Sequence, residues 1–145
     1  MRVVVTNRKA RRDFNIVDTF EAGIVLKGYE VKSLRAGMAS LEGSYARVVN
    51  GEVVLIGVYI KPYERAGYEE IDPRRKRKLL LKRHEIRRLY GQTAERGFTL
   101  VPLRIYFNDR GIAKIEIGLC HGKKAYDKKE ALIKKDLDRE ARRHR

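Results

Sequence analysis

Apolar and polar residues alternate along two stretches of the chain, and each stretch is interrupted by a turn signal. In Val48-Val49-Asn50-Gly51-Glu52-Val53-Val54 an Asn-Gly pair lies between β-branched residues. Both central residues of a tight hairpin turn need positive φ, which Asn and Gly tolerate, so a hairpin is predicted here. Its second arm runs on through Leu55, Ile56, Val58, Tyr59 and Ile60 until Pro62, apolar on both faces, which predicts a deeply buried strand. Further on, Leu103, Ile105 and Phe107 alternate with Arg104 and Tyr106, and Asn108-Asp109-Arg110-Gly111 turns the chain. Ala113, Ile115, Ile117 and Leu119 then alternate with Lys114, Glu116 and Gly118. A period of two on both arms puts one face on a core and the other toward solvent or a partner. Another strand is predicted from Phe14 to Leu26, with Gly23 permitting a bulge or bend.

Helical spacing is sparser. Ile86, Leu89, Tyr90, Thr93 and Ala94 recur at i, i+3, i+4, i+7 and i+8, with Gly97 placed to end the helix. A shorter helix from about Tyr29 to Ala36 puts Val31 and Leu34 on one face and stops at Gly37. Neither helix lies between parallel strands in a βαβ rhythm. A mainly β, small antiparallel closed barrel with two or three flanking helices follows, and the five-stranded oligonucleotide-binding (OB) type suits it best.

After Gly122 the pattern fails. Residues 123–145 are dominated by charge, and Ile133, Leu137 and Ala141 form a stripe too narrow to order the segment alone. The chain therefore divides into a barrel domain, 1–122, and a basic tail, 123–145, expected to be disordered when free and helical when bound. The alternative is a terminus that only adds solubility.

Charge narrows the function. The 145 residues include 34 Lys and Arg against 19 Asp and Glu, a formal net charge of +15. A small compact domain with that excess repels itself, so a polyanionic partner is expected. A charge-rich thermophile surface would mix the two signs more evenly. Three basic clusters stand out: Arg8, Lys9, Arg11 and Arg12; Arg74 to Lys78; and the tail. Arg74-Arg75-Lys76-Arg77-Lys78 follows Asp72-Pro73, so it begins as a turn before Leu79-Leu80-Leu81, and five adjacent cations imply nearby phosphates unless they form a solvated loop. Most of Phe14, Tyr29, Tyr45, Tyr59, Tyr63 and Tyr68 are expected to pack. Tyr126 has almost no core to join and is the better base-stacking residue.

Catalytic signals are poor. Gly118 and Gly122 before Lys123 lack phosphate-loop spacing, and no Ser or Thr follows the lysine. Cys120 and His121 are adjacent on a strand and point to opposite faces, without a second ligand pair. No histidines or carboxylates show the spacing of an acid–base pair. No catalytic residue, metal or cofactor is expected. A lone cysteine, no apolar run long enough to span a bilayer and no signal-like start fit a cytoplasmic protein.

Ordered strings then carry a resemblance. These are Asn7-Arg8-Lys9-Ala10-Arg11, Thr19-Phe20-Glu21-Ala22-Gly23-Ile24, Glu30-Val31-Lys32-Ser33-Leu34-Arg35-Ala36-Gly37, Ser44-Tyr45-Ala46, Asp72-Pro73 with Arg77-Lys78-Leu79-Leu80-Leu81, and Gly122-Lys123-Lys124-Ala125-Tyr126-Asp127-Lys128-Lys129. Together they resemble the small protein B (SsrA-binding protein) family of bacteria over nearly the whole chain. The resemblance implies an OB-type barrel and a role in trans-translation. Such a protein binds the tRNA-like domain of transfer-messenger RNA. It helps bring that RNA, alanylated and with elongation factor Tu·GTP, to stalled ribosomes, where its tail enters the empty mRNA channel and becomes helical.

By matching motif, the resemblance makes Asn7, Arg8, Phe14, Glu21 and Leu81 the transfer-messenger RNA contacts. Glu21 would accept hydrogen bonds from base or ribose, or else pair with a nearby Arg. Leu81 would touch the RNA or simply pack. Glu30 and Arg35 are RNA contacts or a structural ion pair. Arg12, Lys123, Lys124, Tyr126, Asp127, Lys128 and Lys129 would act in the decoding centre and mRNA channel of the ribosome. Four positions depart from the family pattern: Lys129 replaces an arginine, Arg12 stands where histidine is common, and Cys120-His121 replaces small and basic residues. A permanent ribosomal protein and an RNA-processing enzyme are the alternatives that charge alone leaves open.

Overall fold

The strands follow β1 (Arg2–Thr6), β2 (Phe14–Ile24), β3 (Ala39–Ser40), β4 (Tyr45–Val49), β5 (Glu52–Ile56), β6 (Tyr59–Ile60), β7 (Arg77–Leu80), β8 (Thr99–Phe107) and β9 (Ala113–Gly122). Helices α1 (Arg8–Asp13), α2 (Gly28–Arg35) and α3 (Arg83–Tyr90) lie among them. The computed structural model describes residues 1–62 and 71–122. Residues 123–145, with the expected tail and all its candidate contacts, and Tyr63 and Tyr68 lie outside the described residues.

The Asn50-Gly51 signal is realised as a type I′ turn, with φ of 50° and 75° at the two residues, between β4 and β5. The second arm is shorter than its apolar run. Gly57, with φ of 83°, turns the chain where a Cβ would sit 3.4 Å from Ser44 Cα. Beyond it β6 pairs with β3 in a separate two-stranded sheet. One continuous strand to Ile60 is therefore corrected to two. The long hairpin β8–β9 forms as predicted.

Pairing runs β8–β4–β5–β7–β2–β9 and returns to β8, a closed ring of antiparallel strands with β1 added on β8. The mainly β, antiparallel organisation is thus as expected, with six ring strands instead of five. The additional strand includes Arg77 and Lys78, cations that conceal a short alternation. Inside the ring, Val53, Leu55, Leu79, Leu100, Ile105, Ile115 and Ile117 form the main core, joined by Leu34 of α2 and Leu89 of α3. Burying one such side chain stabilises by about 1.5–3 kcal/mol.

Two details of β2 and β8 decide which faces carry function. The bulge expected at Gly23 lies instead at Val17, where the register passes from Ile16↔Cys120 to Asp18↔Leu119. Gly23 serves close approach: a Cβ there would stand 3.3 Å from Leu80 Cβ, where β2 pairs with both β7 and β9. In β8 the register passes from Pro102↔Ile117 to Arg104↔Glu116, so Leu103 is the extra residue. It therefore leaves the phase of Ile105 and Phe107 and joins Ala10, Val101 and Cys120 in a second core beneath α1. The outer face of this hairpin is accordingly part core and part polar, not simply solvated.

The helices end as their sequences dictate. Glu30 Oε1 accepts from Lys27 N–H at 2.9 Å, and Glu85 Oε1 from Lys82 N–H at 3.0 Å, each satisfying a free amide at a helix start. Gly37 and Gly97 take φ of 71° and 72° after α2 and α3. The latter helix finishes in a π-helical turn, Gly91–Glu95.

Candidate nucleic-acid interface

The outer face of β2, β9 and β8 carries a hydrogen-bonded polar row. Glu21 and Glu116 are directly opposite each other, and Glu116 is directly opposite Arg104. Like charges facing across strands destabilise a sheet unless they are compensated. Here Arg104 Nη2 donates to Glu116 Oε2 at 3.2 Å, and Arg11 of α1 approaches the other oxygen at 3.9 Å. Glu21 is compensated differently: the Tyr106 hydroxyl donates to its Oε2 in a short hydrogen bond. Burial, then that bond to Glu21, pushes the Tyr106 phenol up to about 12. The Arg104 guanidinium lies 5.4 Å from the Tyr106 ring centroid, linking the two pairs. Glu21 itself stays exposed.

At the other end of β2, α1 brings cations beside this row. Asn7 begins the helix: its Oδ1 accepts from Ala10 N–H at 3.1 Å, and its Nδ2 donates to the carbonyls of Pro102 at 2.9 Å and Leu41 at 3.3 Å. It is 5% exposed, so its amide is committed internally and positions α1 instead of reaching outward. Arg8 and Arg12 are exposed and have no ion-pair partner among the described residues. Lys9 is 3.5 Å from Glu42. Phe14 is half-buried against the second core. Two clefts flank α1. One, of about 440 Å³, is bounded by Phe14, Tyr45 and Thr99; the other, of about 340 Å³, by Arg8, Arg12 and Ser40.

The remaining candidates separate. Leu81 is half-buried on the main core, whereas Leu80, beside Gly23 on the Glu21 face, is 54% exposed. Glu30 is paired, though not with Arg35. It accepts from Arg77 Nε at 2.7 Å and from Arg75, and Arg77 also donates to the carbonyls of Val58 at 2.7 Å and Pro73 at 3.0 Å. Burial pushes the Glu30 carboxyl up, but bonds from Arg75, Lys27 N–H and Arg77 outweigh it and hold it below the usual range. Arg35 instead places its guanidinium 5.7 Å from the Phe107 ring centroid.

These pairings change the meaning of the Arg74–Lys78 cluster. Arg75 and Arg77 bind Glu30, Arg74 lies 5.2 Å from the Tyr59 ring centroid, and Lys78 meets Glu52 at 3.1 Å. Internal partners thus hold Arg74, Arg75, Arg77 and Lys78 within the fold. Cys120 is buried in the second core and His121 lies on Phe98 with ring centroids 3.9 Å apart. Among the described residues no group of His, Cys, Asp or Glu could hold a metal ion, and no helix is long and apolar enough to cross a membrane. The row's other members, Arg104, Tyr106 and Glu116, were visible as the polar half of an alternation. Their register with Glu21 was not.

Comparison with known proteins agrees in sequence and in fold. The sequence model of the family described as SmpB protein matches residues 4–145. The SsrA-binding protein of Thermus thermophilus is 58% identical over 137 residues, 91% of this chain and 95% of the relative. That of Moorella thermoacetica is 52% identical over 143 residues, 99% and 92% of the two chains. A solved structure described as "tmRNA-SmpB: a journey to the center of the bacterial ribosome" contains a chain that is 58% identical to this one. It superposes with a TM-score of 0.71 over 86% of this chain and 87% of its own.

Proposed function

The chain belongs to the SmpB protein family, and from that premise we propose that it binds the tRNA-like domain of transfer-messenger RNA and acts on the ribosome in trans-translation. It works by binding and placement, with no chemistry of its own. The observation that carries this on the molecule is that Glu21, fixed by Tyr106, lies on the strand that α1 leads into, and that α1 reaches its polar row through Arg11 while Arg8 and Arg12 stay exposed. Phosphate contacts from Arg8 and Arg12 would supply affinity and register, while an acceptor at Glu21 would supply choice. A carboxylate on a basic face repels phosphate, so its useful partner is a donor on a base or ribose.

Phe14 would lie against the RNA beside the cleft of α1. The apolar contact that the resemblance assigns to Leu81 would be shared by Leu80, which is the more exposed of the two. Asn7 and Glu30 act by positioning α1 and the Arg74–Lys78 turn. Lys123, Lys124, Tyr126, Asp127, Lys128 and Lys129 of the tail would serve the decoding centre and mRNA channel, after delivery with alanylated RNA and elongation factor Tu·GTP, whereas Arg12, which the resemblance assigns to the ribosome, we assign with Arg8 to the transfer-messenger RNA. Ending the chain at Gly122 tests the division. The shortened protein should retain most of its affinity for the tRNA-like domain in a filter-binding assay but lose peptide tagging on stalled ribosomes. Equal loss of both activities would reject two separate roles.

A further inference from the structure

A second basic surface stands on α3, away from Glu21. Ile86 and Leu89 turn toward the core, and Arg83 and Arg87 lie along the flank of the helix next to Ile86. Both are exposed, and neither side chain has a hydrogen bond or ion pair among the described residues. Tyr90 is 56% exposed. Beside it a groove of about 460 Å³ opens between α3 and the Asn50-Gly51 turn, with Val48, Ile86 and Tyr90 as its apolar lining and Arg87 at its rim. The carboxylates on these elements are engaged elsewhere: Glu85 accepts from Lys82 N–H, and Glu52 meets Lys78.

An aromatic ring and an unpaired guanidinium three residues apart on a helix are neighbours in space. That pairing offers a stacking face and an anion contact at once, which is the chemistry of a nucleotide. We infer that this groove takes one unpaired nucleotide of single-stranded RNA, with the base stacked on Tyr90 and its phosphate on Arg87, and Arg83 holding the next phosphate. Every base has a stacking face, so the site tolerates any sequence. It does not depend on the Glu21 face, since the two surfaces share no residue.

The test is fluorescence anisotropy of a labelled hexauridylate with the full chain, across a salt series that separates stacking from bulk attraction. Tyr90→Leu should weaken binding about five- to a hundredfold, whereas Tyr90→Phe, which keeps the ring, stays near the unaltered protein. Arg87→Ala should flatten the slope of log K against log salt by about 0.7, one single-strand phosphate. Binding of the tRNA-like domain should be unchanged in Tyr90→Leu. The inference is overturned if Tyr90→Leu binds hexauridylate normally, if Tyr90→Phe loses as much, or if both RNAs are lost together. Should hexauridylate behave as expected while the unaltered protein ignores the tRNA-like domain, the proposed function falls and the groove stands.

Discussion

At the scale of single residues, Glu21 shows how a carboxylate can be kept ready on a strongly basic protein. Glu116 opposite it would repel it, and Arg104 and Arg11 attend to Glu116, leaving Glu21 to the Tyr106 hydroxyl. A neutral donor fixes the carboxylate without quenching its charge, so further acceptor capacity remains for a ligand. Tyr106→Phe should therefore weaken binding of the tRNA-like domain by about tenfold, the worth of losing one orienting bond to a charged group. Binding of random duplex RNA should not change, and a parallel loss on both RNAs would show that Tyr106 serves only the fold. The same bond predicts a titration. Tyr106 has its pKa raised to about 12, so the stabilisation it reports is complete below the ordinary tyrosine pKa near 10 and disappears as pH rises through the folded value. In ultraviolet titration, Tyr106→Phe should remove the tyrosinate step near pH 12, and Glu21→Gln should bring that step down.

Whole elements show what sequence can and cannot disclose. The β4–β5 and β8–β9 hairpins were legible because local chemistry determines them: Asn50-Gly51 accepts the left-handed turn, and a period of two sorts the faces. α1 was not legible. Ala10 is its only buried residue, and its anchor, Asn7, acts through Leu41 and Pro102, carbonyls remote in sequence. The Leu103 and Val17 bulges were hidden for the same reason, since a bulge is a property of two strands together. The pairing of Glu30 with Arg75 and Arg77 spans more than forty residues, and Arg35, the nearer cation in sequence, was the wrong partner. That cluster fastens α2 to the turn before β7. Glu30→Gln should cost about 3–5 kcal/mol in urea unfolding, because it leaves a buried guanidinium uncompensated. Glu30's carboxyl is held below its ordinary range, so its contribution is fully present above about pH 4 and is lost as pH falls through the lower folded value. The acid limb of the stability curve should accordingly flatten in Glu30→Gln. An unchanged curve would mean that solvent already reaches the pair.

For the whole molecule, the question is which of the cations contribute to affinity. A net charge of +15 attracts any polyanion, but a cation already held by a carboxylate releases few counterions when RNA arrives. Lys9, Arg11, Arg75, Arg77, Lys78, Arg88 and Arg104 all have carboxylate partners within the fold. Among the described residues Arg8 and Arg12 have none, and they stand at the end of the strand that carries Glu21. The basic string 74–78 and the basic string 8–12 look equivalent in composition, yet they should differ sharply in their response to salt. Arg8→Ala with Arg12→Ala should reduce the slope of log K against log salt for the tRNA-like domain by about 1.8, two duplex phosphates. Lys78→Ala with Arg88→Ala removes the same two positive charges from cations already held by Glu52 and Asp18, and should leave the slope nearly unaltered. Titrations of both double variants across the same salt series decide between a shared cloud of charge and a localised contact. Equal slopes in the two would assign the binding to net charge alone and remove α1 from the interface.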